Sequence, residues 1–275
     1  MELGVSDKPQ ILLTNDDGIR SPGLWAAAAA LAELGYVTVA APAQQWSGAG
    51  RSMPSGSAGL IHEEIVSVLG KEWKVYAVEG APAQTVQHAL LEIMPAHPAL
   101  VVAGINYGEN VGSGVTISGT VGAVMEAASF GIPGLAMSLQ TDSKYHLSHS
   151  HEVDFQTAAH FTRYFARVLL QTARPPDVDA LKVDVPETAT PATPWRMTRI
   201  SRTRYFLPPR PERTDFGEKG RVGYQARVEH DRLEADSDVR ALVDGLVSVT
   251  PLSLDMTSRV NLDELGQLLK QNGAN

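Results

Sequence analysis

The run Ile11-Leu12-Leu13-Thr14-Asn15-Asp16-Asp17-Gly18 decides the fold class, because an apolar strand signal stops abruptly on two adjacent carboxylates and a glycine. A strand sends successive side chains to opposite faces, so Asp16 and Asp17 converge on one ion only if the chain turns where the strand ends. Gly18 permits that turn. Two hard carboxylate oxygens suit Mg²⁺, Mn²⁺ or Ca²⁺ better than a soft ion. The competing interpretation is a solvated turn, since Asn-Asp-Gly clusters are ordinary turn chemistry.

Downstream of that run, strand-like and helix-like segments alternate up to about residue 140, which predicts a parallel sheet with crossover helices. The strand candidates are Gln10 to Thr14, Tyr36 to Ala41, Trp73 to Val78, Leu100 to Ala103 and Gly134 to Leu139. A helix between the first two is punctuated by Ser21 as N-cap, Pro22 in its first turn and Gly35 beyond its end, with Leu24, Leu31 and Leu34 on one stripe. A second helix follows Pro82, with Val86, Leu90 and Ile93 at core spacing, and a third runs from near Gly119 to Phe130. A fourth covers roughly Asp154 to Leu170.

After Leu181 to Val185 comes a proline-spaced connector, Pro186 to Pro194, which cannot continue regular structure. Residues 197–234 then carry both charge signs, and two interpretations stand: a solvated hairpin or flexible excursion, or an arm that grips another subunit. Order returns with a short helix at Asp238 to Asp244, a strand at Leu246 to Pro251 and a terminal helix at Asn261 to Gln271. The expected division is a catalytic core over residues 1–190 and a C-terminal segment over 191–275, with the arm at about 202–234.

The 275 residues suffice for one large α/β domain, or a domain with an appendage. A balance of 31 acidic against 23 basic residues, formally -8, argues against a nucleic-acid binder that relies on backbone neutralisation. It leaves room for a small anion, because a metal and backbone N–H groups override the global sign locally. The absence of cysteine excludes disulfides, zinc thiolate clusters and a cysteine nucleophile. No stretch approaches the length of a membrane span, and the expectation is a cytoplasmic protein.

Two further loops fall on the same predicted edge of the sheet, beyond the carboxyl ends of its strands. The glycine-rich run Gly104-Ile105-Asn106-Tyr107-Gly108-Glu109-Asn110-Val111-Gly112-Ser113-Gly114 leads to Ser118-Gly119-Thr120-Val121-Gly122, which opens a helix whose unpaired N–H groups and hydroxyls suit a phosphate. Neither a Walker lysine pattern nor a full dinucleotide fingerprint is present. The segment Trp46-Ser47-Gly48-Ala49-Gly50-Arg51-Ser52 offers a hydroxyl at Ser47 for a metal and a guanidinium at Arg51 for an anion, or is an ordinary flexible loop. Trp46 reads as packing more readily than as a base-stacking ring. His88 reads as a surface or interhelix residue. The tract His146, His149 and His151 reads either as an exposed polar loop or as a transition-metal site.

These residues resemble the SurE family, the survival-protein nucleotidases. The resemblance is carried, in order, by Asn15-Asp16-Asp17-Gly18 with Pro22-Gly23, by Ser47-Gly48-Ala49, by Gly104-Ile105-Asn106 with Gly108 and Asn110, and by Ser118 to Ala123 with Met125-Glu126. Val183 to Pro186, the Asp238 segment and Ser248-Val249-Thr250-Pro251 extend it over nearly the whole chain except the charged excursion. The resemblance implies a Rossmann-like α/β fold, mostly parallel, with flanking helices and a C-terminal oligomerisation extension. It implies a divalent-metal-dependent phosphomonoesterase acting on nucleoside 5′- or 3′-monophosphates, in a homodimer or homotetramer. One ion per subunit, Mg²⁺ or Mn²⁺ with Ca²⁺ as a crystal substitute, would be held by Asp16, Asp17, Ser47 and Asn106. Phosphate would meet Asn106, Ser118, Gly119 and Thr120, with Asp16, Asp17 and Asn106 as the catalytic set. One departure stands out: relatives commonly have Gly-Thr-Pro, a further residue and aspartate where this chain has Gly80-Ala81-Pro82-Ala83-Gln84.

Three other functions compete. A haloacid-dehalogenase-like phosphatase needs Asp-x-Asp, but Asn15 stands two before Asp17 and Gly18 two after Asp16, so that pair cannot form. A non-catalytic nucleotide sensor would use the same loops without turnover. A phosphatase for non-nucleotide or polyphosphate substrates would share the ion and differ in the pocket.

Overall fold

The computed structural model describes residues 8–68 and 70–272. Its first half comprises β1 (Gln10–Thr14), α1 (Pro22–Leu31), β2 (Tyr36–Pro42), β3 (Ile61–Val68), β4 (Lys71–Val78), α2 (Pro82–His88), β5 (Leu100–Tyr107) and α3 (Gly119–Ser129). The second half comprises β6 (Gly134–Leu139), α4 (Gln156–Gln171), β7 (Ala180–Val185), β8 (Trp195–Met197), β9 (Phe206–Leu207), β10 (Gln225–Ala226), α5 (Asp238–Val243), β11 (Val247–Leu252) and α6 (Leu262–Asn272). β4, β2, β1, β5, β6 and β7 lie side by side in that order and run parallel. β3 adds antiparallel at one edge, and β11 then β8 at the other.

The chain winds outward from β1 through β2 to β4, then returns to place β5 on the far side of β1. The order of strands therefore reverses between β1 and β5, and a crevice opens beyond their carboxyl ends. Period-two alternation puts Leu12, Ala40 and Val101 on one face against Val86 and Val124. Ile11, Leu13, Val39 and Val102 face the other way, against Leu24 and Leu31 of α1 and Phe161 and Phe165 of α4. Each fully buried aliphatic side chain stabilises the fold by about 1.5–3 kcal/mol, so this double layer holds the strand ends rigidly.

Besides the short strand β8, which the sequence did not suggest, two elements differ from the sequence expectation. β3 was absent from it because His62-Glu63-Glu64 interrupts the apolar alternation; charge suits an edge strand, where it discourages further pairing. β5 does not stop at Ala103 but continues buried to Tyr107, its pairing with β6 shifting register between Ala103 and Asn106. Glycine inside a strand marks such an irregularity as well as it marks a loop. The shift carries Asn106 to the end of the sheet beside β1.

The C-terminal segment is tied in by buried charge. Lys182 on β7 is enclosed and pairs with Asp184 two residues on and with Asp238 at the start of α5, 3.2 Å away. Burial, the largest single influence, pulls the Lys182 pKa down, yet the two carboxylates outweigh it and hold the ammonium protonated. Asp184 also accepts from the Asn110 N–H at 2.7 Å, and Asp238 accepts from the N–H groups of Gly112 and Ser201 at 3.1 and 2.9 Å. One ion network thus pins both the glycine-rich loop and the root of residues 197–234. Those residues are not simply solvated: Tyr205 packs on Val111, Val239 and Leu242 in a small separate core, and β9 pairs antiparallel with β10. Among the described residues no helix is long and apolar enough to cross a membrane.

Lys182→Met should leave two enclosed carboxylates without a counter-charge. A loss of about 3–5 kcal/mol is expected, which lowers the melting temperature by roughly 10 °C in a thermal denaturation scan.

Candidate active site

The turn after β1 closes on itself. Asn15 donates from Nδ2 to the Gly18 carbonyl at 3.0 Å and accepts the Gly18 N–H at 3.1 Å, while Gly18 takes φ +96°, a conformation that favours glycine. Asp16 and Asp17 are thereby held side by side. The Thr120 hydroxyl donates to Asp16 Oδ1 at 2.6 Å. A Cβ on residue 119 would come within 2.7 Å of Asp16, so only glycine lets the start of α3 approach so closely. Asp17 lies deeper, at 0% exposure, and accepts from Gln45 Nε2 at 3.1 Å and from the Tyr107 N–H at 3.3 Å.

These donors do not balance the two charges. Burial raises the Asp16 pKa despite the Thr120 hydroxyl and the backbone N–H groups that oppose it. Burial, then the neighbouring Asp16 charge, raises Asp17 well above the ordinary carboxylate range. The pair is short of positive charge. Ser47, exposed at the tip of its loop, and Asn106 line the same cleft of about 410 Å³ as Asp16. Asn106 Nδ2 donates to the carbonyls of Tyr107 and Gly108 at 3.2 and 2.7 Å, leaving its amide oxygen as an acceptor without a hydrogen bond. No cluster of three or more His, Asp or Glu suited to a metal occurs among the described residues. Two carboxylates with neutral oxygens form a donor set that fits a hard divalent cation.

Within the expected phosphate loop, Thr120 is 0% exposed and its hydroxyl donates to Asp16, so it also orients that carboxylate. Ser118 does line the cleft, and because its Oγ accepts from the Val121 N–H at 3.1 Å, its proton remains free to donate. Arg51 meets an anion inside the chain: Nε donates to Glu126 of α3 at 2.6 Å, fastening the Ser47 loop. At the departure noted above, Gln84 takes over half of the cap, its Oε1 accepting from the Ala81 N–H at 3.0 Å.

The histidine tract does not gather around a metal. His146 is buried, with Nε2 bonded to the Thr141 carbonyl at 3.2 Å and Nδ1 to the Tyr224 hydroxyl at 3.1 Å. His149 Nε2 donates to the Asp17 carbonyl at 2.8 Å, and His151 lines a different groove, between α1 and α4. Sequence reasoning missed His146, His149 and Gln45 as supports of the site. Gln45 bridges the Asp17 carboxylate and the His146 carbonyl at 2.9 Å, and its place beside Ser47 was the only signal. Also missed was Glu109, a cleft residue whose Oε2 is buried without a partner and whose pKa burial raises to about 7.

Topology and the switch-point crevice define a Rossmann-type α/β protein. A family model described as survival protein SurE matches residues 11–206, and the chain belongs to that family. It is 40% identical over 262 residues to the 5′-nucleotidase SurE of Thermococcus kodakarensis, covering 94% of this chain and 98% of that protein. With the 5′-nucleotidase SurE of Thermococcus gammatolerans it shares 42% identity over 267 residues, covering 94% and 96%. The crystal structure of the SurE protein from Aquifex aeolicus matches with a TM-score of 0.73 at 29% identity, covering 96% of this chain and 100% of that one.

Thr120→Val should weaken divalent-ion affinity about tenfold or more in calorimetric titration, because it removes an outer donor that orients Asp16. Glu109 supplies a pH test. Its folded pKa of about 7 exceeds its ordinary 4.5, so the folded state holds the proton more tightly and stability falls as pH rises between those values. Glu109→Gln should abolish that component, up to about 3 kcal/mol, seen as a wild-type melting temperature that drops more steeply across this window than the variant's.

Proposed function

We propose that this protein hydrolyses nucleoside monophosphates to nucleoside and phosphate with one divalent ion, Mg²⁺ or Mn²⁺, held by Asp16, Asp17, Ser47 and Asn106. The observation that carries the proposal is the buried, charge-deficient pair Asp16–Asp17 at the switch point, with Asn106, Ser47 and Ser118 around one cleft. When bound, such an ion supplies positive charge against phosphoryl oxygens and makes a water more acidic. Asn106 contributes its free amide oxygen on that side of the cleft. Ser118 donates its hydroxyl proton to a phosphoryl oxygen, a bond worth about 1.5–3 kcal/mol when the acceptor is charged. Thr120 holds Asp16 in one orientation, so the carboxylate need not reorganise as charge develops. The naming of the Thermococcus relatives as 5′-nucleotidases supports the 5′-monophosphate as substrate.

We also propose a homo-oligomer, dimer or tetramer, acting in the cytoplasm. Supporting it, α6 leaves Leu262, Leu265 and Leu269 in solvent, an apolar stripe that a monomer gains nothing by exposing.

Asp16→Asn and Asp17→Asn should each abolish most phosphate release from adenosine 5′-monophosphate while the protein stays folded by circular dichroism. Full activity after exhaustive chelation would sink the metal mechanism, and nucleotide binding with no release under any divalent ion would leave a sensor. Removing residues 261–275 should lower the mass measured by light scattering; an unchanged mass would discard α6 as an assembly element.

A further inference from the structure

The cleft is two-sided in its chemistry. Asp16, Asn106 and Ser118 make its polar floor, and residues of the 204–224 segment, which the hydrolytic chemistry does not use, supply another part of its wall. Phe206 and Tyr224 stand on that wall with ring centroids 5.3 Å apart at 72°. Tyr224 also stacks on the His146 ring, 5.9 Å away at 24°, and its hydroxyl meets His146 Nδ1. Burial keeps His146 from taking up a proton readily, so the stacked partner is a neutral ring. The cluster is therefore rigid and oriented, yet Tyr224 remains 43% exposed. Open aromatic surface of this kind beside a phosphate-sized polar floor needs a flat apolar occupant. Arg204 and Arg221 line the same wall, and neither forms a salt bridge among the described residues. They give an acidic chain a local positive rim that draws anions inward.

We propose that Phe206 and Tyr224 form the nucleobase subsite, making residues 204–224 the element that selects nucleotides over simpler phosphate esters. This rests on the nucleotidase reading and extends it from the phosphate to the leaving group. An aromatic face accepts any base, with purines gaining most from their larger area. Esters whose alcohol lacks a base can fill the floor but gain nothing from the wall.

The test compares adenosine 5′-monophosphate with ribose 5-phosphate, which keeps the sugar ester and lacks the base, using the Mg²⁺-loaded full chain. Tyr224→Ala should lower the ratio of their kcat/KM values about tenfold or more, chiefly through KM for the nucleotide. Tyr224→Phe keeps the ring and should keep the ratio near that of the wild type. Equal losses on both substrates would overturn the subsite, since they would mean that Tyr224 serves only to position His146. Adenosine binding by calorimetry reads the subsite without turnover. If Tyr224→Ala binds adenosine as tightly as the wild type, the subsite is wrong. If the wild type binds adenosine, Tyr224→Ala does not, and no phosphate is released by either, the subsite stands and the nucleotidase reading falls.

Discussion

Two carboxylates buried side by side at the end of β1 are the constraint around which the cleft is built. Taking Asp16 and Asp17 out of water is unfavourable unless hydrogen bonds or positive charge replace the lost hydration. The chain answers with hydrogen bonds from three separate elements: the Thr120 hydroxyl of α3, the Tyr107 N–H of β5, and Gln45 from the loop after β2. Each of those loops is thereby held in place, so the same bonds that shelter the carboxylates also assemble the walls. Hydrogen bonds alone leave the charge unbalanced, and the raised pKa values express that deficit.

The Lys182 network balances charge differently. There a resident ammonium sits between Asp184 and Asp238, and the carboxylates' remaining lone pairs collect amides from Asn110, Gly112 and Ser201. Its task is placement: it sets the glycine-rich loop against β7 and roots the segment that crosses the cleft. The two buried clusters lie on neighbouring parts of one sheet, one complete within the chain and one lacking a counter-charge. Structural and functional uses of buried aspartate are told apart by that difference.

Much of this was legible beforehand. β1, β2, β4, β6 and α1 follow from local period and punctuation, because their apolar residues repeat with the geometry of the element that buries them. β3 was not legible, since an edge strand has solvent on one side and tolerates the charges that mask its alternation. The end of β5 was missed because glycine signals both a loop and a bulge, and only the neighbouring strand decides between them. At the site, Asp16, Asp17, Ser47 and Asn106 were candidates from the sequence. The contact of the Thr120 hydroxyl with Asp16 was not legible, because a hydroxyl at a helix start reads the same whether it meets a ligand or a side chain over a hundred residues away in the chain.

By itself, then, the sequence determined the parallel α/β architecture, the carboxylate pair at a strand end and the family to which the chain belongs, since these reside in local periodicity, turn chemistry and ordered motifs. Tertiary structure alone decided which donors serve Asp16 and Asp17, that His146, His149 and His151 part company, and that Phe206 and Tyr224 line the same cleft as Asn106. Those facts depend on contacts between residues far apart along the chain. Such contacts leave no local pattern, because they arise only when the sheet has brought its strand ends together and the buried charges have chosen their partners.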